Sequence, residues 1–223
     1  MKQLLLLCFI FSFGFNASAQ LGITTASTRN QSTEWQVVTE NFVVHKKSDF
    51  LKYGTVGIID YAFLLRNGDI RIRPAFEFFL ANSLYQEHFF RVNSLGMQGN
   101  FEFALLSAKD KSDKKRAIRP FLQFSPGISY LNFKYEYPKD DITDDFMEQK
   151  SHRLAPNLGA NLFFEVKLTP LLTVAPMAGF RIYPKLNWKD FTETVSKGML
   201  TTNYDKTNWK QYQLGVRFGL SFK

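Results

Sequence analysis

The closing stretch QYQLGVRFGLSFK alternates without a break. Tyr212, Leu214, Val216, Phe218, Leu220 and Phe222 share one face of an extended strand, and Gln211, Gln213, Gly215, Arg217, Gly219 and Ser221 share the other. The same period of two recurs upstream. Ile70, Ile72, Phe76, Phe78 and Leu80 oppose Arg71, Arg73 and Glu77. Leu95, Met97, Phe101, Phe103 and Leu105 oppose Gly96, Gln98, Asn100 and Glu102. Leu154, Leu158, Ala160, Leu162, Phe164, Val166 and Leu168 oppose Asn157, Gly159, Asn161, Glu165 and Lys167, and Leu172, Val174, Ala178, Phe180 and Ile182 oppose Thr173, Gly179 and Arg181. The stretch AIRPFLQFSPGISY follows less cleanly. No helical period and no repeat interrupts this pattern.

The pattern predicts eight strands, at 34–45, 51–65, 69–81, 89–107, 117–135, 150–167, 171–185 and 207–222, the first two on weak alternation. Ten strands, or eight with Leu21 to Asp49 outside the sheet, also fit. Arg66-Asn67-Gly68-Asp69 predicts a tight hairpin through its Asn-Gly pair, and Leu168-Thr169-Pro170 a second. Long polar connections, Pro138 to Gln149 and Asn187 to Lys206, fall on the opposite side. Short turns on one side and long loops on the other are the asymmetry of a transmembrane barrel, with both termini at the short-turn end. The charged turn Ala108 to Arg116 is longer than that rule leads one to expect. Pro74, Pro120, Pro126, Pro156 and Pro176 each remove a ladder donor, which predicts bulges or strand ends at those points.

Alternation alone does not say which face meets oil, because soluble and membrane barrels share it. The polar face decides. A water-washed face carries Lys and Glu freely, whereas the interior of an eight-stranded barrel is just wide enough for its own side chains. The Gln, Gly, Ser and Asn rows with an occasional Arg or Glu match an interior. Charges there need partners, so Arg71, Arg73, Arg181 and Arg217 are expected to pair with Asp60, Glu77, Glu102 and Glu165 in a lumen network. Tyr130, Tyr135, Tyr137, Tyr183, Trp188, Trp209 and Tyr212 fall near the outer strand ends and suggest an interfacial aromatic belt.

The ends and the composition agree with export. MKQLLLLCFIFSFGFNASAQ has one Lys, an apolar run from Leu4 to Phe15 and Ala17-Ser18-Ala19, the pattern of a signal peptide cleaved after Ala19. Residues 20–223 would then form a single barrel domain. The one cysteine, Cys8, lies in that leader, which leaves no disulfide framework and no thiol nucleophile in the mature chain. The net charge of +8 would suit nucleic acid in a cytoplasmic protein, but an exported chain does not meet it. The 24 Phe among 223 residues are more than a soluble enzyme of this size needs, and lipid contact accounts for them.

Arg119-Pro120-Phe121, the run Pro126-Gly127-Ile128-Ser129-Tyr130 and the alternating last strand resemble the small outer-membrane β-barrels of Gram-negative bacteria, with a look of the porin-like group of Bacteroidota. The resemblance implies an all-β, antiparallel, up-and-down barrel in the cell outer membrane. It also implies outer-membrane lipid and the barrel assembly machinery as partners, the latter reading Phe218, Leu220 and Phe222 near the C-terminus. In the family an aromatic usually ends the chain; here Lys223 follows Phe222.

Candidate chemistry is sparse. His45, His88 and His152 have no ligand spacing, and three separate rim histidines are the reading adopted. Ser151, His152 and Glu148 are the one local group that invites comparison with lipid-acyl barrel enzymes, but adjacent strand residues face opposite ways. Asp140, Asp141, Asp144 and Asp145 lack the glycine turn of a calcium loop. Lys109 to Arg116 is read as a solvated turn. The expectation is therefore no cofactor, no metal and no catalysis, and a structural or surface-interaction barrel of slight permeability at most. An unidentified extracellular partner would meet the two long loops. The alternatives are a lipid-modifying barrel enzyme and a soluble exported barrel holding an apolar ligand.

Overall fold

In the computed structural model the described residues are 19–31, 35–39, 42–45, 51–65, 68–85, 88–107, 117–138, 146–187, 200–202 and 206–222. Eight strands close into one antiparallel barrel: β1 (Ala19–Gln31), β4 (Tyr53–Leu65), β5 (Ile70–Tyr85), β6 (His88–Ala104), β7 (Ile118–Pro138), β8 (Phe146–Lys167), β9 (Leu172–Asn187) and β11 (Lys206–Phe222). Each pairs with its neighbours around the ring, and β1 closes on β11 from Ala19 opposite Phe222 to Gln31 opposite Lys210. Closure leaves no sheet edge in the barrel wall, which a strand-built membrane protein requires. Outside the ring, β2 (Trp35–Thr39), β3 (Phe42–His45) and β10 (Leu200–Thr202) form a small sheet in the order β10-β2-β3.

The expected count of eight holds, but its first member does not. Residues 35–39 and 42–45 belong to the separate sheet, and the barrel's first strand is Ala19–Gln31. That strand escapes the pattern because its outward face runs Leu21, Ile23, Thr25, Ser27, Arg29, so only its first half looks amphipathic. The strand expected at 51–65 is present as β4, and its weak alternation has a structural cause: Val56, Ile58 and Ala62 face inward while Thr55 and Gly57 face outward.

The prolines are accommodated differently from expectation. Pro74, Pro126 and Pro176 point outward, and the ladder simply skips beside them: β4–β5 passes from Asp60–Ala75 to Phe63–Ile72, β6–β7 from Gln98–Gly127 to Phe101–Phe124, and β8–β9 from Phe163–Met177 to Val166–Val174. Register is unchanged across each gap, since a missing N–H weakens bonding to one neighbour while the other strand still pairs. Pro120, Pro126 and Pro156 sit inside an unbroken β7–β8 ladder. The one register shift among the pairs described here falls between Thr207 and Trp209, where β11 meets β9.

The turn before β5 has Gly68 at φ +82°, a conformation glycine adopts without steric cost. At the seam, a Cβ on Gly215 would collide with Ala26 and the Thr25 carbonyl, so glycine lets β1 and β11 approach. Short connections at 66–69 and 168–171 share one end with Ala19 and Phe222. By the usual asymmetry that end is periplasmic, and the opposite strand ends, Gln31, Tyr53, Tyr85, His88, Pro138, Phe146, Asn187 and Lys206, are the outer ones.

Candidate functional site in the barrel lumen

Burial follows strand parity. Phe218 is 48 % exposed and Leu214 70 %, whereas Gln211, Gln213 and Arg217 between them are buried. On β5, Phe76 and Phe78 face out while Arg73 and Glu77 face in; on β8, Leu154, Leu158 and Phe164 face out while Asn157, Asn161 and Glu165 face in. On β11 the outward apolar row from Tyr212 to Phe222 covers about 33 Å of strand, or about 25 Å along the axis at a tilt of ~40°. That matches the height of an outer-membrane apolar girdle. Above it the outward residues turn polar: Arg91 and Asn93 on β6, Asn132, Lys134 and Glu136 on β7, Glu148, Lys150 and His152 on β8.

Inside, the barrel is filled in two storeys. The lower one, toward the short turns, holds the charges. Arg71 donates to both oxygens of Glu165 at 2.5 and 2.9 Å and lies 3.9 Å from Glu102. Arg73 contacts Asp60 at 2.5 Å and Glu102 at 2.8 Å, and it also reaches the amide oxygen of Gln20. Arg217 pairs with Glu102, and Arg181 with Glu77. The four arginines and four acids singled out from sequence thus meet in one lumen, and as a set they are neutral. Arg73, Glu102 and Arg181 are 0 % exposed, where an unpaired ion would be very costly.

The sequence reading did not pick out the neutral residues that complete this cluster. Gln98 donates to Glu77 at 2.6 Å, Gln123 to Glu102 at 2.9 Å, Asn161 to Gln123 at 2.7 Å and Gln20 to Thr173 at 2.9 Å. All share inward parity with the charged residues, and that parity is the signal that finds them. Two of the inward phenylalanines lie in this storey: the Arg71 guanidinium lies 4.0 Å from the Phe121 ring centre and that of Arg217 4.0 Å from Phe163. A ring face against a desolvated cation adds attraction without needing a counter-charge. Below them, Arg119 bonds Asp69 at 2.6 Å and, like Arg71, donates to the Gly68 carbonyl, tying the turn to the floor of the cluster.

The upper storey is aromatic. Trp209 lies 5.4 Å from Phe79, 5.2 Å from Tyr183 and 6.3 Å from Phe133 between ring centres, and Phe90 stacks on Tyr135 at 4.5 Å. This corrects the belt. Tyr135, Tyr183 and Trp209 are buried in the lumen, while Tyr130 and Tyr212 stand outward at the girdle's outer edge with Tyr53. Tyr137 and Trp188 lie outside the residues whose side chains are described.

The remaining candidates do not assemble. His152 is exposed on the outward face and stacks on Tyr130 at 5.7 Å, whereas Ser151 points the other way along the same strand. Glu148 shares the face of His152 but is engaged by Lys134 and Lys150. The side chains of His45 and His88, residues 109–116 and the four aspartates at 140–145 lie outside the described residues. Among the described residues no group of His, Cys, Asp and Glu could hold a metal ion. Phe218, Leu220 and Phe222 all face outward; Lys223 is not described.

No family model matches this sequence, and no curated protein does. Among solved structures, Neisserial surface protein A superposes with a TM-score of 0.52 at 10 % identity over 93 % of this chain and 100 % of that one. The fold is that of an outer-membrane barrel. Ail, the attachment invasion locus protein of Yersinia pestis, solved with the heparin analogue sucrose octasulfate, gives a TM-score of 0.47 at 10 % identity over 93 % and 100 % of the two chains. Identity this low speaks to architecture alone. A closed antiparallel barrel with an outward apolar girdle of membrane height lies in the cell outer membrane.

Proposed function

We propose that this chain is a structural and surface-presenting barrel of the outer membrane, not a diffusion pore and not an enzyme. The observation that carries the reading is the filled lumen: a neutral ion-pair cluster under an aromatic plug, with Arg73, Glu102, Arg181, Tyr135 and Tyr183 all fully buried. Solute passage would require breaking buried charge pairs or displacing packed rings. What the barrel offers instead lies outside it. The outer strand ends at Gln31, Pro138 and Asn187, and the β10-β2-β3 sheet that follows the first of them in the chain, are where an extracellular partner would meet it. The outward Phe218, Leu220 and Phe222 suit recognition by the barrel assembly machinery. The porin-like group of Bacteroidota remains the family assignment proposed, carried by the Arg119 to Tyr130 run and the last strand.

Liposomes containing the folded protein should swell in a disaccharide solution at the rate of protein-free liposomes. Steady swelling well above that rate would contradict the closed-lumen reading. His152→Ala should leave acylation of the surrounding lipids unchanged; loss of a lipid-modifying activity in that variant would instead favour an enzyme.

A further inference from the structure

Where β1, β4 and β11 reach the outer edge of the girdle, a cleft of about 530 Å³ is lined by Arg29, Asn30, Gln31, Lys52 and Tyr212. That volume lies in the range of small-ligand sites. Arg29 stands between Tyr53 of β4 and Tyr212 of β11 in register, and among the described residues no carboxylate pairs with it. Lys52 lies over the Tyr53 ring at 5.6 Å. The chain is held to bring Lys52 there. Leu51 is buried in the left-handed region at φ 58°, its carbonyl accepts the Asn30 side-chain amide at 2.6 Å, and the Lys52 carbonyl accepts the Asn30 N–H at 2.7 Å. A non-glycine residue held in that conformation is strain that the surroundings maintain, and such positions cluster at ligand sites. Asn30 is itself 4 % exposed, on the inward row of β1, and anchors the Leu51–Lys52 segment from that side.

Directly below the cleft the lipid-facing wall is thin. Thr25 pairs with Gly57 and Ser27 with Thr55, all on the outward side, and a Cβ built on Gly57 would meet nothing within 4 Å. Bulky columns flank this patch: Leu214 beside Ser27, and Phe78 beside Gly57. Small residues in a wall otherwise built from Phe and Leu leave a furrow that runs up to two cations. The juxtaposition has the shape and polarity of one class of molecule.

We propose that this furrow and cleft bind a phosphorylated, acylated sugar lipid of the outer leaflet, its phosphate on Arg29 and Lys52, its sugar against Tyr212 and one acyl chain along Thr25, Ser27 and Gly57. Cations at a membrane interface attract lipid phosphate, and a planar guanidinium matches its oxygens two at a time. The furrow below the cations separates a lipid, which has an acyl chain to lay in it, from free phosphate, which has none.

The test is native mass spectrometry of the full chain, folded in detergent, titrated with diphosphoryl lipid A. Wild type should retain one lipid. Arg29→Gln with Lys52→Gln should weaken retention about thirty-fold, the loss expected for two interfacial cations, while Lys150→Gln at the rim leaves it unchanged. Gly57→Phe, which fills the furrow, should weaken retention with both cations intact. Equal retention by the double variant and wild type, or an equal loss from Lys150→Gln, overturns the proposal. Complete displacement by millimolar inorganic phosphate also overturns it, since the site would then take an anion and no lipid. The inference rests on the girdle facing lipid. Heat-modifiable gel mobility separates the two failures: a variant that still shifts on boiling but binds lipid normally sinks the site alone, whereas a wild type that never shifts sinks the barrel.

Discussion

Glu102→Ala should cost the folded barrel about 3–5 kcal/mol, the usual penalty for removing one partner of a buried ion pair. Glu102 is the shared anion of the lower storey. It meets Arg73 at 2.8 Å and Arg217, lies 3.9 Å from Arg71, and accepts the Gln123 amide. Its loss turns a neutral set into one with an excess buried cation. The arginines fare unequally: Arg73 keeps its direct contacts to Asp60 and Gln20, whereas Arg217 loses its direct ion pair and keeps the face of Phe163 and the more distant charges of Asp60 and Glu165. The urea midpoint of protein folded into phospholipid vesicles measures the effect, provided the slope of the transition is unchanged. Glu148→Ala, in the exposed pair with Lys134 and Lys150 above the girdle, should leave the midpoint where it was, because solvent screens such pairs. A Glu102→Ala midpoint equal to wild type would mean that water reaches the arginines, and the filled lumen would be wrong.

The second large effect concerns the other face. Phe218→Arg places a charge near the middle of the outward apolar row and should cost about 2–4 kcal/mol in a bilayer; Tyr212→Arg, at the outer edge of the same row, should cost about 0–1 kcal/mol. The gradient between the two matters more than either value. Only a lipid environment makes the cost depend on height, since water treats the two positions alike. Equal and small effects at both sites would describe a barrel with Phe218 in water.

The sequence announced this orientation clearly where both faces were chemically pure. Within the girdle, over 212–222 of β11 and 154–166 of β8, every outward position is apolar and most inward positions are Gln, Gly, Asn or a chargeable group, so period and polarity together separate the faces. The lumen charges were legible for the same reason: an Arg or Glu on the polar side of such a strand has nowhere to go except toward an opposite charge. Partner choice was not legible, because it depends on stagger around the ring, and the stagger places Glu102 of β6 against Arg217 of β11. The aromatic plug was misread for want of parity. Trp209 is in step with Gln211, and Tyr183 with Arg181, which puts them inside, whereas Tyr212 and Tyr130 are out of step with those rows. Strand β1 was lost because Thr25, Ser27 and Arg29 occupy its outward side, and the same substitution of small and basic residues for Phe and Leu forms the furrow and its cations.

A cysteine scan from 211 to 222, with Cys8 replaced and a nitroxide attached at one position at a time in reconstituted vesicles, tests the orientation directly. The even-numbered positions should show high collision with oxygen and little with a water-soluble nickel chelate, rising toward the chelate only at the girdle edges, 212 and 222, while the odd positions exclude both. Even-numbered sites relaxed by the chelate along the whole strand, with oxygen-rich odd sites between them, would contradict a barrel that turns Phe218 to lipid and Arg217 to its own interior.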